Sequence, residues 1–298
     1  MLRGVSDMPL GVLDSVTPQS GVVSWTILCG SAYSEPDSAH CSEGYLYARL
    51  SLRDGSAVIE FAKVDIGTGP TAACVRCGEV AERSLLASEL IRAALAANAA
   101  SWSGGTGPNV MFVGMEPFAH PELPGLVSAA VGAGYQRIGL RTDAGALSLP
   151  DNAEGVLSAG VRHIEMVLAG GDAASHDAFA GRPGLFDSAH RGVTEFRLVA
   201  REAHVPVAVT GHVPVCVHTM TSLPAVVAAL ADVGAVAVEL AVSPRAAAES
   251  ALPAWLGAAI DTGMVNGVWV SVSGLAPASV PRSPLHALAP SRAVGATL

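Results

Sequence analysis

From about residue 58 to 274 the chain alternates short apolar runs with longer stretches whose apolar residues recur at helical spacing. The short runs are "NVMFVGME", "QRIGLRTD", "HIEMVLAG", "PVAVTGHVPV", "AVAVELAVS" and a closing "GVWVSVSG". Between them lie "AERSLLASELIRAALAANAASW", "LPGLVSAAVGAG", "DNAEGVLSAG", "LFDSAHRGVTEFRLVARE", "SLPAVVAALADVG" and "AESALPAWLGAAIDTG". Near-continuous apolar strands joined by helices require a parallel sheet covered by those helices, because each strand must bury both faces. The count of six to seven strand–helix repeats falls short of the eight of a closed barrel. The pattern therefore predicts an α/β fold, a partial (β/α)6-type parallel barrel, with a doubly wound sheet as the other arrangement open to it. "VVSWTIL", "GYLYARLSL" and "SAVIEFAKVDI" are β-branched or aromatic and separated by turn residues, so a short β-rich segment precedes the barrel. The expected organisation is an N-terminal β-rich segment over 1–57, the barrel over 58–275 and a flexible, Pro/Ala/Ser-rich tail over 276–298.

In either sheet architecture ligands sit at the C-terminal ends of the strands. That places the loops 67–79, 114–117, 142–145, 170–177 and 212–219 around one mouth. Composition narrows what the mouth can serve. The net charge is −9 and Lys63 is the single lysine, which argues against nucleic acid as a partner. No apolar stretch reaches the roughly 18 residues of a membrane span. The first residues lack the basic start and long apolar run of a signal peptide. Five cysteines, an odd set, fit a reducing cytoplasm. With 50% hydrophobic and only 14% charged residues, apolar side chains must reach the surface, which favours a protein partner or a homo-oligomer.

The loop "TGPTAACVRCGE" carries Cys74 and Cys77 as C-x-x-C directly after a strand-like run, a setting for a metal or a redox pair. Further along, His212, Cys216 and His218 lie within seven residues and could hold a single zinc or iron in a TIM-like enzyme. His176 and Asp177 in "SHDAFAG" are an acid–base candidate set against a structural loop, and His120 reads as a loop or cap histidine. "SGGTGP" precedes a strand rather than a helix, so it is a linker and not a phosphate loop.

Four segments in order resemble the radical S-adenosylmethionine (radical SAM) superfamily. "DIGTGPTAACVRC" resembles its first-strand loop with C-x-x-x-C-x-x-C, "MFVGMEPFAHPELPGLVSAAVGAG" its G-G-E-P segment, and "IGLRTDAG" its T-N-G segment. "SAGVRHIEMVLAGGDAASHDAFAGRPGLFDSAHRGV" resembles the strand and loop that follow. The resemblance implies S-adenosylmethionine (SAM) as cofactor, a small-molecule or peptide substrate, and a SAM pocket at Gly114, Glu116, Thr142 and Asp143. Glu116 would meet the SAM ammonium. It also implies a [4Fe–4S] cluster on the loop cysteines, of which Cys74 and Cys77 are present. The first cluster cysteine falls at position 70, which is Pro70, and Met115 stands at the second glycine of G-G-E-P. Two thiolates under-ligate such a cluster, so Cys29 or Cys41 is a candidate third ligand. The expected function is a radical-SAM-like protein with an incomplete cluster motif. It binds SAM or substrate without normal radical chemistry, or acts as partner of an active biosynthetic enzyme. The alternative is an active enzyme with an atypically ligated cluster.

Overall fold

The computed structural model describes residues 22–29, 46–53, 56–58, 61–71, 73–77, 84–101 and 108–275, with side chains from residue 61 onward. Three strands open the chain: β1 (Val22–Cys29), β2 (Leu46–Arg53) and β3 (Ser56–Val58). They pair antiparallel in the order β1-β2-β3. Seven parallel strands follow: β4 (Ala62–Asp65), β5 (Asn109–Val113), β6 (Arg137–Thr142), β7 (Val161–Val167), β8 (Ala208–Val215), β9 (Ala237–Val242) and β10 (Trp269–Ser273). They lie side by side in chain order from β4 to β10, the arrangement of an open, partial (β/α) barrel. The helices are α1 (Ser88–Ser101), α2 (Leu123–Gly132), α3 (Pro150–Ala159), α4 (Ala173–Ala180), α5 (Leu185–Glu202), α6 (Leu223–Asp232), α7 (Pro244–Ala247) and α8 (Leu252–Asn266).

The local reasons for these elements are readable residue by residue. In α5, Leu185, Ala189, Val193, Phe196 and Ala200 are buried at spacings of three and four, one stripe along the helix. Helices α2, α3, α6, α7 and α8 each carry proline in their first two positions, where its fixed φ suits a helix and its missing N–H is no loss to the ladder. Helix α8 ends on Gly267 in the left-handed region, φ 71°, which lets its N–H reach back to Gly263 and Met264. Phe112, Ile138, Leu140, Ile164 and Met166 are under 2% exposed, and each contributes about 1.5–3 kcal/mol by leaving water.

Two findings depart from the sequence reading. The "SHDAFAG" stretch is not a loop but most of α4, started by a capping box in which Asp172 accepts from the Ser175 N–H at 2.7 Å. The strands are also less uniformly apolar than a doubly covered sheet implies. In β4, β8 and β9 buried and half-buried residues alternate, and the half-buried set is Lys63, Asp65, Thr210, His212 and Glu239 among others. In these strands one face is thus core, and the polar side chains lie on the other.

The chain divides into two compact units, 1–72 with 80–165 and 191–207, and 73–79 with 166–190 and 208–298. Residues 1–21, Cys41 and residues 276–298 lie outside the described residues, as does the Cys29 side chain.

Candidate functional site

In the first unit the ends of β4, β5 and β6 are bound together by backbone. Ile66 donates to Val113 O at 3.0 Å, and the Thr71 hydroxyl donates to Gly114 O at 2.7 Å. Gly114 has φ 92°, and a Cβ there would stand 2.5 Å from Gly67 O, so only glycine fits this crossing. Gly67 is needed for a related reason: a Cβ on it would stand 2.8 Å from the Ser84 carbonyl oxygen and 2.9 Å from the Met115 side chain. Met115 therefore fills the space beside the first loop.

Glu116 is the hub of this end. Its Oε1 accepts from the Thr142 hydroxyl at 2.6 Å and the Phe118 N–H at 3.3 Å, and its Oε2 accepts from the Asp143 N–H at 2.7 Å. A carboxylate offers about four lone-pair directions, so one remains on Oε2 for a further donor. Burial, then the neighbouring Asp143 carboxylate, pushes Glu116 up to about 7, against the pull of its three hydrogen bonds. Thr142 is wholly buried and its oxygen also accepts from the Ala144 N–H at 2.9 Å. Asp143 caps the turn by accepting from the Gly145 N–H at 2.9 Å. Ala144 sits at φ 60°, a left-handed conformation that L-residues adopt at a cost of about 1–2 kcal/mol. It is held there from behind: a Cβ at Gly192 of α5 would stand 2.1 Å from Ala144 O. Of the four residues read from the sequence, Glu116, Thr142 and Asp143 thus share one hydrogen-bonded network, while Gly114 is tied through its carbonyl to Thr71.

The first unit holds a second polar group that sequence reading did not find. Arg141 on β6 donates to Glu165 on β7 in an ion pair. Burial raises Asp65 on β4, against the pull of Arg141 and then Lys63. His163 on β7 stacks edge-on against Phe61 at 4.6 Å, and burial drives its pKa down to about 4. All four alternate with core residues along their strands, so a period-two reading of "VRHIEMV" was the available signal.

In the second unit the C-x-x-C loop forms a turn, with Cys77 donating to Cys74 O at 3.1 Å and Val75 donating to Phe179 O at 3.0 Å. The third thiol beside them is Cys216, at the end of β8. The sulfurs of Cys74, Cys77 and Cys216 all lie within 4.8 Å of one another. The Cys216 N–H donates to Thr219 Oγ1 at 2.9 Å, and its carbonyl accepts from Thr219 and Met220. Burial and then the other two thiols push Cys77 up to about 12. For Cys216 burial works the same way, but the His218 N–H, the Thr219 hydroxyl and the two thiols outweigh it and lower the value.

The His212/Cys216/His218 constellation does not assemble. His212 pairs instead with Glu239 on β9 at 3.1 Å, and His218 is not among the ligands gathered at Cys216. The cause is the strand end: the chain turns after Val215, so the three side chains do not share one face. His176 and Asp177 do not form a dyad either. His176 Nδ1 accepts from the Ala169 N–H at 3.2 Å, while Asp177 accepts from the Gly184 and Phe186 N–H groups at 2.5 and 2.9 Å. His120 bridges Leu86 O and the Glu122 N–H, both at 3.2 Å, which makes it a structural pin.

The fit of a [4Fe–4S] cluster can be tested on these residues. Pro70 has no donor side chain. The three available sulfurs stand close enough to share one ion, whereas a cubane places a separate iron behind each thiolate and spreads them apart. Among the described residues the spacing of these donors does not match the cluster.

No family model matches the chain. Two curated proteins do, each over 160 residues at 26% identity and each called an AdoMet-dependent heme synthase, from Nitratidesulfovibrio vulgaris and Oleidesulfovibrio alaskensis. The aligned part is 54% of this chain and 43% and 41% of those proteins, so the chain spans less than half the length of the curated relatives it matches. Among solved structures, Streptococcus suis SuiB bound to S-adenosylmethionine superposes with a TM-score of 0.52 over 71% of this chain and 50% of SuiB, at 12% identity. Its counterpart bound to the precursor peptide SuiA superposes with a TM-score of 0.50 over 71% of this chain and 48% of that one, also at 12% identity. The ordered motifs and these relatives make the chain similar to proteins of the radical SAM superfamily, and the seven-stranded partial barrel is the fold it shares with the solved structures, with Pro70 where the first cluster cysteine stands in that family's motif.

Proposed function

We propose that this chain binds SAM through the Gly114–Glu116–Thr142–Asp143 end of its first unit and does not carry out the reductive, cluster-dependent cleavage of that cofactor. The observation that carries the reading is the Glu116 carboxylate. It is fixed by three hydrogen bonds, keeps one acceptor direction, and is held near neutrality by burial, a state in which an arriving ammonium draws out its negative charge. Two proteins similar to this chain are named for dependence on AdoMet, and one structural neighbour was solved with it. SAM is then a ligand of a biosynthetic, cytoplasmic protein, and the substrate is a small molecule or a peptide.

A hydrogen bond to a charged group contributes about 1.5–3 kcal/mol, roughly tenfold to a hundredfold in affinity. Without an iron to chelate its amino and carboxylate groups, SAM binds in the micromolar range or more weakly. Calorimetry on wild type and Glu116→Gln tests this. Binding that weakens at least tenfold in the variant is the expected result. Absence of binding in both proteins points to the other role, a non-catalytic partner of an active enzyme. Tight binding indifferent to Glu116 places the pocket elsewhere.

A further inference from the structure

We infer that Cys74, Cys77 and Cys216 form a three-thiolate site for one tetrahedral divalent ion of the zinc class, in the place where the family's loop would hold a cluster. The distance is the first argument. Tetrahedral zinc–thiolate bonds of about 2.3 Å set the sulfurs roughly 3.8 Å apart. The three sulfurs here are already within 4.8 Å, so side-chain rotation of about an ångström or less closes the site.

The second argument is that both backbones are held in place without the ion. The Cys74–Cys77 turn is closed by its own hydrogen bond and tied to Phe179 O through Val75. Cys216 is fixed on both its N–H and its carbonyl by Thr219, whose hydroxyl lies 3.7 Å from the Cys216 sulfur. A hydroxyl beside a ligating thiolate is the kind of outer contact that orients a ligand and tunes the metal. Cys74 and Cys216 are each only 8% exposed, and all three thiols are free.

The third argument is ligand softness. Three thiolates select zinc or iron over magnesium and calcium, and a C-x-x-C turn with one distant ligand is a common zinc arrangement. Three protein ligands leave a fourth corner. Cys74 lines a cavity of about 360 Å³ together with Arg76, Asp172, Ser175, His218 and Thr219. The fourth corner is filled by water or by a small-molecule donor from that cavity, the open pattern of three-ligand zinc sites.

The site uses residues of the second unit alone, so its failure is separate from failure of the SAM reading, which calorimetry with SAM decides. The experiment takes the full chain, reduced and stripped with a chelator, and titrates separate samples with Zn²⁺ and with Co²⁺. The expected result is one ion per chain, with thiolate-to-cobalt charge transfer and the intense visible bands of tetrahedral Co²⁺. Cys216→Ser should lower both intensities and weaken binding about tenfold or more, while Cys29→Ser leaves them unchanged. No binding by the wild-type chain, a weak octahedral spectrum, or a Cys216→Ser titration matching wild type overturns the inference. So does anaerobic reconstitution to near four irons per chain on the same three cysteines. If Cys216→Ser fails to fold, the wild-type cobalt spectrum and stoichiometry decide alone.

Discussion

Replacing Glu116 with glutamine exchanges a titrating group for a neutral one of the same shape. The ordinary value for Glu116 is 4.5 and the folded protein holds it at about 7. Because the folded value is raised, the protonated form is the better guest: the favourable contribution is complete below 4.5 and is lost as pH rises through about 7. The gap corresponds to about 3 kcal/mol of stability lost by the wild type between pH 4.5 and pH 8. Glutamine does not titrate, but its amide nitrogen cannot accept. With Thr142, Phe118 and Asp143 all donating, one of them faces an NH₂ group, a loss of about 1–2 kcal/mol at every pH. The variant should be less stable than wild type below pH 5, cross it between about pH 5 and 6, and exceed it by about 1–2 kcal/mol at pH 8. Urea unfolding of both proteins at pH 5, 6.5 and 8 measures the crossing. A difference between variant and wild type that stays flat with pH, or widens in favour of wild type as pH rises, refutes the burial argument. The same titration gives the functional sign. An ammonium beside Glu116 pulls its value down, so SAM binding at pH 7 should release a fraction of a proton. That release should vanish in Glu116→Gln, and calorimetry in buffers of different ionisation enthalpy reads it.

Other expectations come from the same region. Ala144→Gly should raise stability by up to about 1 kcal/mol, the left-handed penalty less the entropy of glycine, by urea unfolding. Gly192→Ala should destabilise by roughly 2–4 kcal/mol, because its methyl group meets the Ala144 carbonyl at 2.1 Å and neither backbone can yield cheaply. It should also weaken any SAM binding, since Ala144 N–H is bonded to Thr142. His163, held down to about 4 by burial, should stay neutral, with its ring resonances unmoved in NMR between pH 5.5 and 8.

Much of the fold was legible because its signals are local. Helix α5 shows a period of 3.6 over 18 residues, and its bounds are those read from the sequence. Helix α4 was missed because it has eight residues and only His176 and Phe179 buried, too short for periodicity to speak. Its Asp172–Ser175 capping box was the usable sign. The Glu116 network was legible through the order of four motifs, not through the chemistry of any one. Cys216 was visible as a cysteine at a strand end but was grouped with His212 and His218, its neighbours in sequence. Its actual companions, Cys74 and Cys77, lie far back along the chain, and nothing in local pattern ties them together. The polar faces of the strands were hidden by reading "AVELAV" and "HIEMV" as apolar runs, when the alternation of Glu239 and Glu165 with valine, isoleucine and methionine was in plain view.

The prolines that open α2, α3, α6, α7 and α8 have a chemical consequence beyond helix initiation. A helix start attracts phosphate through its first free N–H groups, aimed together at one oxygen cluster. Proline deletes one of those donors at each of these starts, and at α4 the Asp172 carboxylate already occupies the Ser175 N–H. A ligand whose grip depends on a phosphate therefore finds a depleted set of amides at the helix starts that follow these strands. A ligand that presents a cation to the fixed Glu116 carboxylate loses nothing by those prolines.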